Sequence, residues 1–227
     1  MLLAIDTATD WAGVALYDPR AHQVRYEITW WARRRHTTTL LPRVNDALED
    51  QGLTPSALHG LVVAIGPGSY TGLRVGLSLA KGIVLAHAVP LVGIPTLDIL
   101  AYPYRHLTSE ICAVIQAGRT RVSWALYTPG DTPTALDGYH LDDVPTLARI
   151  LRERARPVFV VGELTAAQVQ TLREEGGPHL RLADPAEGLR RPGWLAALGH
   201  RALSEGRQDD PATLSPIYLR HPGSSAP

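Results

Sequence analysis

The 227-residue sequence has a single cysteine, Cys112, and no formal net charge. One thiol cannot form an intrachain disulfide or a zinc site built from several cysteines, and it does not require an oxidising compartment. Lysine and arginine together number 22, as do aspartate and glutamate, so no overall field attracts nucleic acid. We therefore expect a cytoplasmic protein without a large basic surface for nucleic acid.

Long uninterrupted apolar runs are also missing. The chain reaches Asp6 after five residues, too few for the core of a signal peptide, and no later run approaches the ~18 apolar residues of a membrane-spanning helix. We therefore expect a chain that is neither exported nor embedded in a membrane. The hydrophobic fraction of 45% can still bury a sizeable core, in one large domain or two small ones.

Several motifs of enzymes do not occur. A helix that binds a metal through one face needs two ligands at positions i and i+4, but His36 is followed at that spacing by Leu40. The other histidines form no pair at ligand spacing, and no Gly-x-Ser-x-Gly nucleophile motif is present. We expect neither a metal site nor a catalytic residue in this chain.

Hydrophobic patterning predicts an α/β chain in two parts, which we place at residues 1–103 and 104–204. The first part has predicted strands at 2–5, 13–17, 23–30 and 61–65 and predicted helices at 37–50 and 70–88. The second part has predicted strands at 111–115, 122–127 and 158–161 and predicted helices at 144–155, 164–174 and 194–204. Residues 221–227 are small and polar with two prolines, so we expect a frayed end.

Two turns could bind an anion or a metal-bound phosphate. The segment from Gly66 to Arg74 predicts a tight turn into a helix, whose free N–H groups could hold an anion, or simply a turn capped by Ser69 or Thr71. It lacks the Gly-Lys-Ser/Thr ending of a nucleotide P-loop. The run that starts with Asp6 and Thr7 could hold a metal-bound phosphate or merely turn into the next strand. Asp6, Thr7 and Ser69 are therefore only weak candidates for cofactor binding.

The second predicted helix has apolar residues on two sides of a polar stripe. One apolar arc holds Leu73, Leu77 and Val84, the other holds Val75, Leu79 and Ile83, and one sheet cannot cover both. Between them lies a row of small residues, Gly72, Gly76 and Ala80, which would let a second backbone approach closely. We infer a helix that faces a partner. The alternative is that a neighbouring helix of the same chain fills the row.

The order of these segments resembles the TsaB (YeaZ) family. The resemblance is carried by Leu-Leu-Ala-Ile-Asp6-Thr7-Ala8-Thr9 at the start, by His36 followed by Leu40-Leu41-Pro42, and by the segment from Gly66 to Gly76 followed by Ala80-Lys81-Gly82. The last segment that carries the resemblance is Pro216-Ile217-Tyr218-Leu219-Arg220. The similarity is strong over the first ~100 residues and at the C-terminal motif, and diffuse between them.

The resemblance implies a two-lobed actin-like (ASKHA, ribonuclease H-like) α/β fold, with residues 205–220 returning to the first lobe. It also implies a non-catalytic subunit in the synthesis of N6-threonylcarbamoyladenosine (t6A) beside the tRNA anticodon. In that family a related TsaD subunit holds the metal and transfers the threonylcarbamoyl group, and TsaB pairs with it through helices of the first lobe. The ATPase TsaE joins the pair, so ATP and metal belong to the partners, and tRNA is contacted only through the complex. We place eight residues near the partner surface, without choosing between the two arcs: Leu40, Leu41, Val44, Leu48, Gly72, Val75, Gly76 and Leu79.

The sequence departs from the family pattern at one place. Where the family usually has an Asp-Ala-Arg run before a short Glu-Val-Tyr stretch, this chain has Gln116, Ala117 and Gly118 before Arg119. A role that depends on that acid, such as a contact of the second lobe, is in doubt here.

Three alternatives stay open from the sequence. An autonomous sugar-kinase-like ATPase would need a phosphate loop in each lobe, yet Ala8 stands where such proteins usually have glycine. A metalloprotease would need the missing pair of metal ligands. A homodimer would use the same helical surface, and it is compatible with partner binding.

Overall fold

The computed structural model describes residues 1–132, 134–154 and 156–219. It divides into two compact units. Unit 1 contains Met1–Ile99 and Arg190–Ile217, and unit 2 contains Leu100–Leu189 and the described residues after Ile217. Arg220 of the C-terminal motif and the predicted frayed end at 221–227 lie outside the described residues.

Unit 1 is built on a five-stranded sheet in the order β3-β2-β1-β4-β5. β1 pairs antiparallel with β2 and parallel with β4, and β5 continues the parallel part. The strands are β1 (Leu2–Asp6), β2 (Trp11–Asp18), β3 (Gln23–Trp31), β4 (Gly60–Ala64) and β5 (Leu91–Ile94). The helices of this unit are α1 (His36–Asp50), α2 (Tyr70–His87), the short α3 (Thr96–Ala101), which ends in unit 2, and α6 (Pro192–Ser204).

Both faces of this sheet are covered. Because successive side chains of a strand point to opposite faces, Ile5 and Val63 join a core with α1 and α2, whereas Val62 points to the other side. There a β-carbon added at Gly199 of α6 would overlap the Val62 side chain, so the helix lies directly on the strand. Burial on both faces explains why β1 and β4 are continuous apolar runs rather than alternating ones.

Unit 2 is built on a second sheet in the order β11-β10-β6-β7, with β8 and β9 both pairing with β7. Two helices pack against one another and share a core with β6, β7 and β10. The strands are β6 (Glu110–Ala117), β7 (Arg121–Thr128), β8 (Thr134–Ala135), β9 (His140–Asp143), β10 (Val158–Gly162) and β11 (Leu180–Leu182). The helices are α4 (Val144–Arg152) and α5 (Ala166–Glu175).

The two sheets repeat one topology. Apart from the two-residue β8, the strands of unit 2 run in the order β9-β7-β6-β10-β11, which is third, second, first, fourth and fifth along the chain. Unit 1 has the same order and the same mixture of antiparallel and parallel pairs. This duplicated ribonuclease H-like order is that of the actin-like, or ASKHA, proteins. The fold class expected from the sequence is confirmed.

The division of the chain differs from the one drawn at 1–103 and 104–204. The helix predicted at 194–204 was assigned to the second part, yet α6 packs on the sheet of unit 1. Its apolar face could cover either sheet, and no pattern in the sequence decides between them. The strand β5 was missed because it has only four residues and stands between Pro90 and Pro95.

The C-terminal segment runs along unit 1. The amide of Ile217 donates to the carbonyl of Ile65 at 2.7 Å, and the carboxylate of Asp209 accepts from the amide of Gly93 at 2.7 Å.

Among the described residues, no helix is both long enough and apolar enough to cross a bilayer.

Candidate functional site

The turn between β1 and β2 contains the most buried charged pair of unit 1. Oδ2 of Asp6 accepts from Nε of Arg190 at 2.9 Å, and the two side chains are only 4% and 1% exposed. Oδ1 of Asp6 accepts from the amide of Ala8 at 2.9 Å, and a second nitrogen of Arg190 donates to the hydroxyl of Thr9 at 2.9 Å. The carboxylate proposed for a metal-bound phosphate is therefore held by a guanidinium of the same chain.

The other side of this turn is closed by the start of α2. The amide of Ser69 donates to the carbonyl of Ala8 at 2.6 Å, and a β-carbon added at Gly68 would overlap that same carbonyl oxygen. The hydroxyl of Thr7 donates to the carbonyl of Gly72 at 2.8 Å. Backbone and hydroxyl groups that could surround an anion bond to one another instead.

Ser69 is the N-cap of α2. Its hydroxyl accepts from the amide of Gly72 at 3.2 Å, which satisfies one of the free N–H groups of the first turn. The segment 66–74 therefore contains the capped turn that was one of its two predicted functions. Asp6, Thr7 and Ser69 thus come together at one place, as elements of packing.

His36 begins α1 and is buried, with Leu40 one turn later inside the core. Burial lowers the pKa of the His36 imidazole, against the opposing effect of the Asp10 and Asp6 charges and of a hydrogen bond with the backbone of Thr9. Within the described residues, Nδ1 of His36 has no hydrogen-bond partner, and no group of three potential metal-ligating side chains occurs. Burial thus favours the neutral form of the imidazole.

The row of small residues on α2 faces the interior, which corrects the prediction of an outward row. A β-carbon at Gly72 would overlap the carbonyl oxygen of Thr7, and one at Gly76 would overlap the hydroxyl of Thr7. Ala80 is fully buried. The backbone that approaches this row closely is β1 and its turn, neither a partner nor a neighbouring helix.

Most of the α1 residues assigned to the partner surface are likewise interior. Leu40, Val44 and Leu48 are at most 3% exposed and belong to the core of unit 1. Leu41 is the exception, because its side chain is 50% exposed. Leu40, Val44 and Leu48 form one apolar stripe of the helix, and the stripe covers the sheet of its own chain.

The two apolar arcs of α2 differ in burial. Leu73, Leu77 and Val84 are buried against the sheet, whereas Val75, Leu79 and Ile83 are half-buried. The exposed side of α2 next to Val75 and Leu79 has its own small residues at four-residue spacing, Ser78, Gly82 and Ala86. We call the exposed and half-buried residues Leu41, Val75, Ser78, Leu79, Gly82 and Ala86 the outer α1–α2 surface.

Gly82 is the unexpected residue of this surface. A β-carbon added there would meet no heavy atom within 4 Å, so packing inside the chain does not require glycine. Glycine inside a helix is less favourable than alanine by ~1 kcal/mol. The sequence does show small residues every four positions at Ser78, Gly82 and Ala86. The buried row at Gly72 and Gly76 has the same spacing, so the spacing does not tell which row is exposed.

The departure at Gln116 has a structural counterpart in unit 2. The side-chain amide of Gln116 donates to the carbonyl of Glu163 at 2.8 Å and also hydrogen-bonds with the side-chain amide of Gln168. Gln168 in turn forms the capping box of α5 with Thr165. Gly118 lies in the hairpin after β6 with φ of +82°, a conformation that favours glycine. Gln116 therefore anchors a helix end within its own unit.

Comparison with known proteins gives consistent relationships. A family model described as "TsaD: tRNA N6-adenosine threonylcarbamoyltransferase" matches residues 30–174. The chain is 32% identical to the tRNA threonylcarbamoyladenosine biosynthesis protein TsaB of Bacillus subtilis, over 96% of this chain and 93% of that protein. It is 34% identical to the Escherichia coli protein of the same name, over 56% of this chain and 54% of that one.

Solved structures agree with these sequences. YeaZ from Pseudomonas aeruginosa superposes with a TM-score of 0.78 at 25% identity, covering 96% of this chain and 99% of that one. The ethanolamine utilization protein EutJ of Carboxydothermus hydrogenoformans, at 13% identity and a TM-score of 0.52, shares the fold alone. Since the similarity to the Bacillus subtilis protein extends over nearly the whole of both chains, this protein belongs to the TsaB (YeaZ) family.

Proposed function

We propose that this chain is the non-catalytic partner subunit of a complex that forms t6A in tRNA next to the anticodon, and that it pairs with a TsaD-like catalytic subunit. The names of its relatives support a role in t6A biosynthesis. The family model that matches residues 30–174 carries the name of the transferase itself, so the assignment to partner rather than catalyst needs separate support.

The ion pair between Asp6 and Arg190 is the observation that carries this assignment. In an actin-like enzyme the turn after the first strand must admit phosphates and a metal ion, whereas here the carboxylate of Asp6 is paired with a buried guanidinium 2.9 Å away. The position one turn after His36 is the buried Leu40 rather than a second ligand. Both features favour a scaffold over the autonomous sugar-kinase-like ATPase and over a metalloprotease.

We further propose the outer α1–α2 surface as the contact with the catalytic subunit. Leu41 supplies exposed apolar area, Val75 and Leu79 form a half-buried edge, and Gly82 leaves room for a second helix to approach. Close approach of two backbones over small residues is a common way for helices to pack. A homodimer of this chain alone would use the same surface when the partner is absent, so it is compatible with partner binding.

The remaining parts of the proposal concern other molecules of the complex. A TsaE-like ATPase would join the pair, and ATP and metal would be bound by the partner subunits rather than by this chain. The complex would act in the cytoplasm, where tRNA is modified.

The test is size-exclusion chromatography with light scattering on this chain mixed with the TsaD-like protein of the same organism, followed by a tRNA threonylcarbamoylation assay with and without this chain. A stable heterodimer, and t6A formation that requires this chain, would support the scaffold function. Absence of a complex together with t6A formation that does not depend on this chain would refute it. A thermal shift of this chain alone with millimolar ATP would favour the ATPase instead.

A further inference from the structure

Trp31, the last residue of the edge strand β3 in unit 1, lies beside Trp11 of the neighbouring strand β2. Trp31 pairs in register with Trp11 at the start of β2, and their rings meet edge to face with centroids 5.0 Å apart. Trp31 is 48% exposed although it is large and apolar. Trp30, one residue earlier, is instead tied to α1 because its ring N–H donates to the hydroxyl of Thr39 at 3.3 Å. Trp31 thus presents an exposed aromatic surface that its neighbours hold in place.

Three consecutive arginines, Arg33, Arg34 and Arg35, follow Trp31 after the buried Ala32, and all three are exposed. The turn that carries them is fixed to β2, because the amides of Ala32 and Arg33 donate to the carbonyl of Asp10 at 2.8 and 3.3 Å. Each ion pair found among the described residues lies elsewhere in the chain. When the charge of Asp10 is counted against the three arginines, the local charge is still about +2.

We propose that these five residues, Trp11, Trp31, Arg33, Arg34 and Arg35, form a binding surface for unpaired RNA, which we call the Trp–Arg patch. Proteins bind single-stranded nucleic acid by stacking bases on exposed aromatic rings and by pairing arginines with the phosphates. The patch has both groups within one turn of chain. A base stacks on the exposed face of Trp31, braced by Trp11, and the phosphates on either side of it reach the arginines.

The patch is compatible with a neutral chain. Net charge zero excludes a large electrostatic surface, but three arginines can still hold two or three phosphates locally. Such a surface binds weakly alone and adds to the affinity of a larger complex. The surface and its chemistry do not depend on the proposed function, whereas the identification of the RNA as the anticodon loop of tRNA rests on it.

The experiment measures binding of the isolated chain to a fluorescein-labelled, unpaired ten-nucleotide RNA by fluorescence anisotropy at 50 mM salt. A blunt RNA duplex of the same length is the comparison. We expect the single strand to bind more tightly than the duplex. Replacing all three arginines with glutamine is expected to weaken binding at least about tenfold and to reduce the salt dependence by about two units of log Kd per log salt.

Two sets of variants separate this surface from charge in general. Arg149, Arg152 and Arg173 are exposed arginines of unit 2, so their triple replacement by glutamine removes the same charge and is expected to leave RNA binding unchanged. Trp31→Ala is expected to weaken binding about tenfold, and Trp31→Phe to restore most of it, because phenylalanine still stacks. Thermal unfolding of each variant checks its fold.

The proposal is overturned if the wild-type chain does not bind the single strand, if the two triple replacements weaken it equally, or if Trp31→Ala binds as tightly as wild type. It is also overturned if replacing Arg33–35 abolishes pairing with the TsaD-like subunit and leaves RNA binding intact, which would make the patch a protein contact. The binding assay uses this chain alone, so its failure leaves the heterodimer untouched. Failure of the heterodimer likewise leaves the RNA measurement valid.

Discussion

The guanidinium of Arg190 lies 2.9 Å from the carboxylate of Asp6, which is 184 residues earlier in the chain. Arg190 is the first residue of the segment that returns to unit 1 and leads into α6. The pair therefore joins the first strand of unit 1 to its last helix. Through Asp6 and Thr9 it also fixes the turn between β1 and β2.

Breaking this pair should cost stability. Removing one partner of a buried ion pair leaves an uncompensated charge, so we expect Arg190→Ala to lower the free energy of unfolding by about 3–5 kcal/mol in urea denaturation. Arg201 forms an exposed ion pair with Glu205 in the same unit, and Arg201→Ala should cost less than about 1 kcal/mol. Equal effects of the two variants would contradict the structural role of the Asp6–Arg190 pair.

The two glycines of α2 should respond to alanine in opposite directions. Gly82→Ala is expected to raise the free energy of unfolding by about 1 kcal/mol, because the new methyl group meets open space and alanine favours the helix. Gly76→Ala is expected to lower it by about 1–3 kcal/mol, because the methyl group overlaps the hydroxyl of Thr7. Chemical denaturation of both variants measures the contrast. Stabilisation by Gly76→Ala would mean that the row does face outward.

The same contrast defines the test of the outer α1–α2 surface. Gly82→Leu should leave the chain folded and weaken pairing with the TsaD-like subunit more than tenfold, because leucine prevents close approach of a second helix. Ala167→Leu places the same side chain on the exposed face of α5 in unit 2 and serves as the control. Light scattering or calorimetry compares the two. If both variants pair as the wild type does, the contact lies elsewhere.

His36 should make stability depend on pH. Burial lowers its pKa in the folded chain below the unfolded value of about 6.5, so the unfolded chain binds the proton first as pH falls. The contribution is therefore fully present above about pH 6.5 and is lost as pH decreases toward the folded-state pKa. Denaturation at pH 7.5 and pH 5.5 should show a smaller loss for His36→Gln than for wild type. His106→Gln, at an exposed histidine, should retain the wild-type loss.

Cys112 should be chemically silent in the folded protein. Its side chain is completely buried in β6, and burial raises the pKa of the thiol well above its usual range, so no thiolate is available. We expect no reaction with a thiol reagent such as DTNB in buffer and one equivalent of reaction in denaturant. Rapid reaction under native conditions would indicate that the sheet of unit 2 opens locally.

The sequence predicted the elements with strong local signals. The apolar runs of β1 and β4 and the spacing of Leu40, Val44 and Leu48 in α1 all correspond to observed elements. Ser69 as a cap was among the predicted alternatives, because serine before a helix has a local function. These features depend on neighbours within a few residues.

Other features depended on residues that are distant in the chain. The two rows of small residues on α2, one at Gly72 and Gly76 and the other at Gly82, have equal spacing and similar composition. Only the position of Thr7 against one side distinguishes them. Arg190 could not be assigned to Asp6 either, because nothing near either residue indicates a partner 184 positions away.

By itself the sequence determined the family, because the order of its motifs is a property of short segments, and the fold class followed from that resemblance. Tertiary structure alone decided which face of α2 is interior, which unit α6 belongs to and whether the turn at Asp6 is open or closed. Those outcomes follow from packing between segments far apart in the chain, and a pattern of apolar and small residues is the same whichever surface it covers.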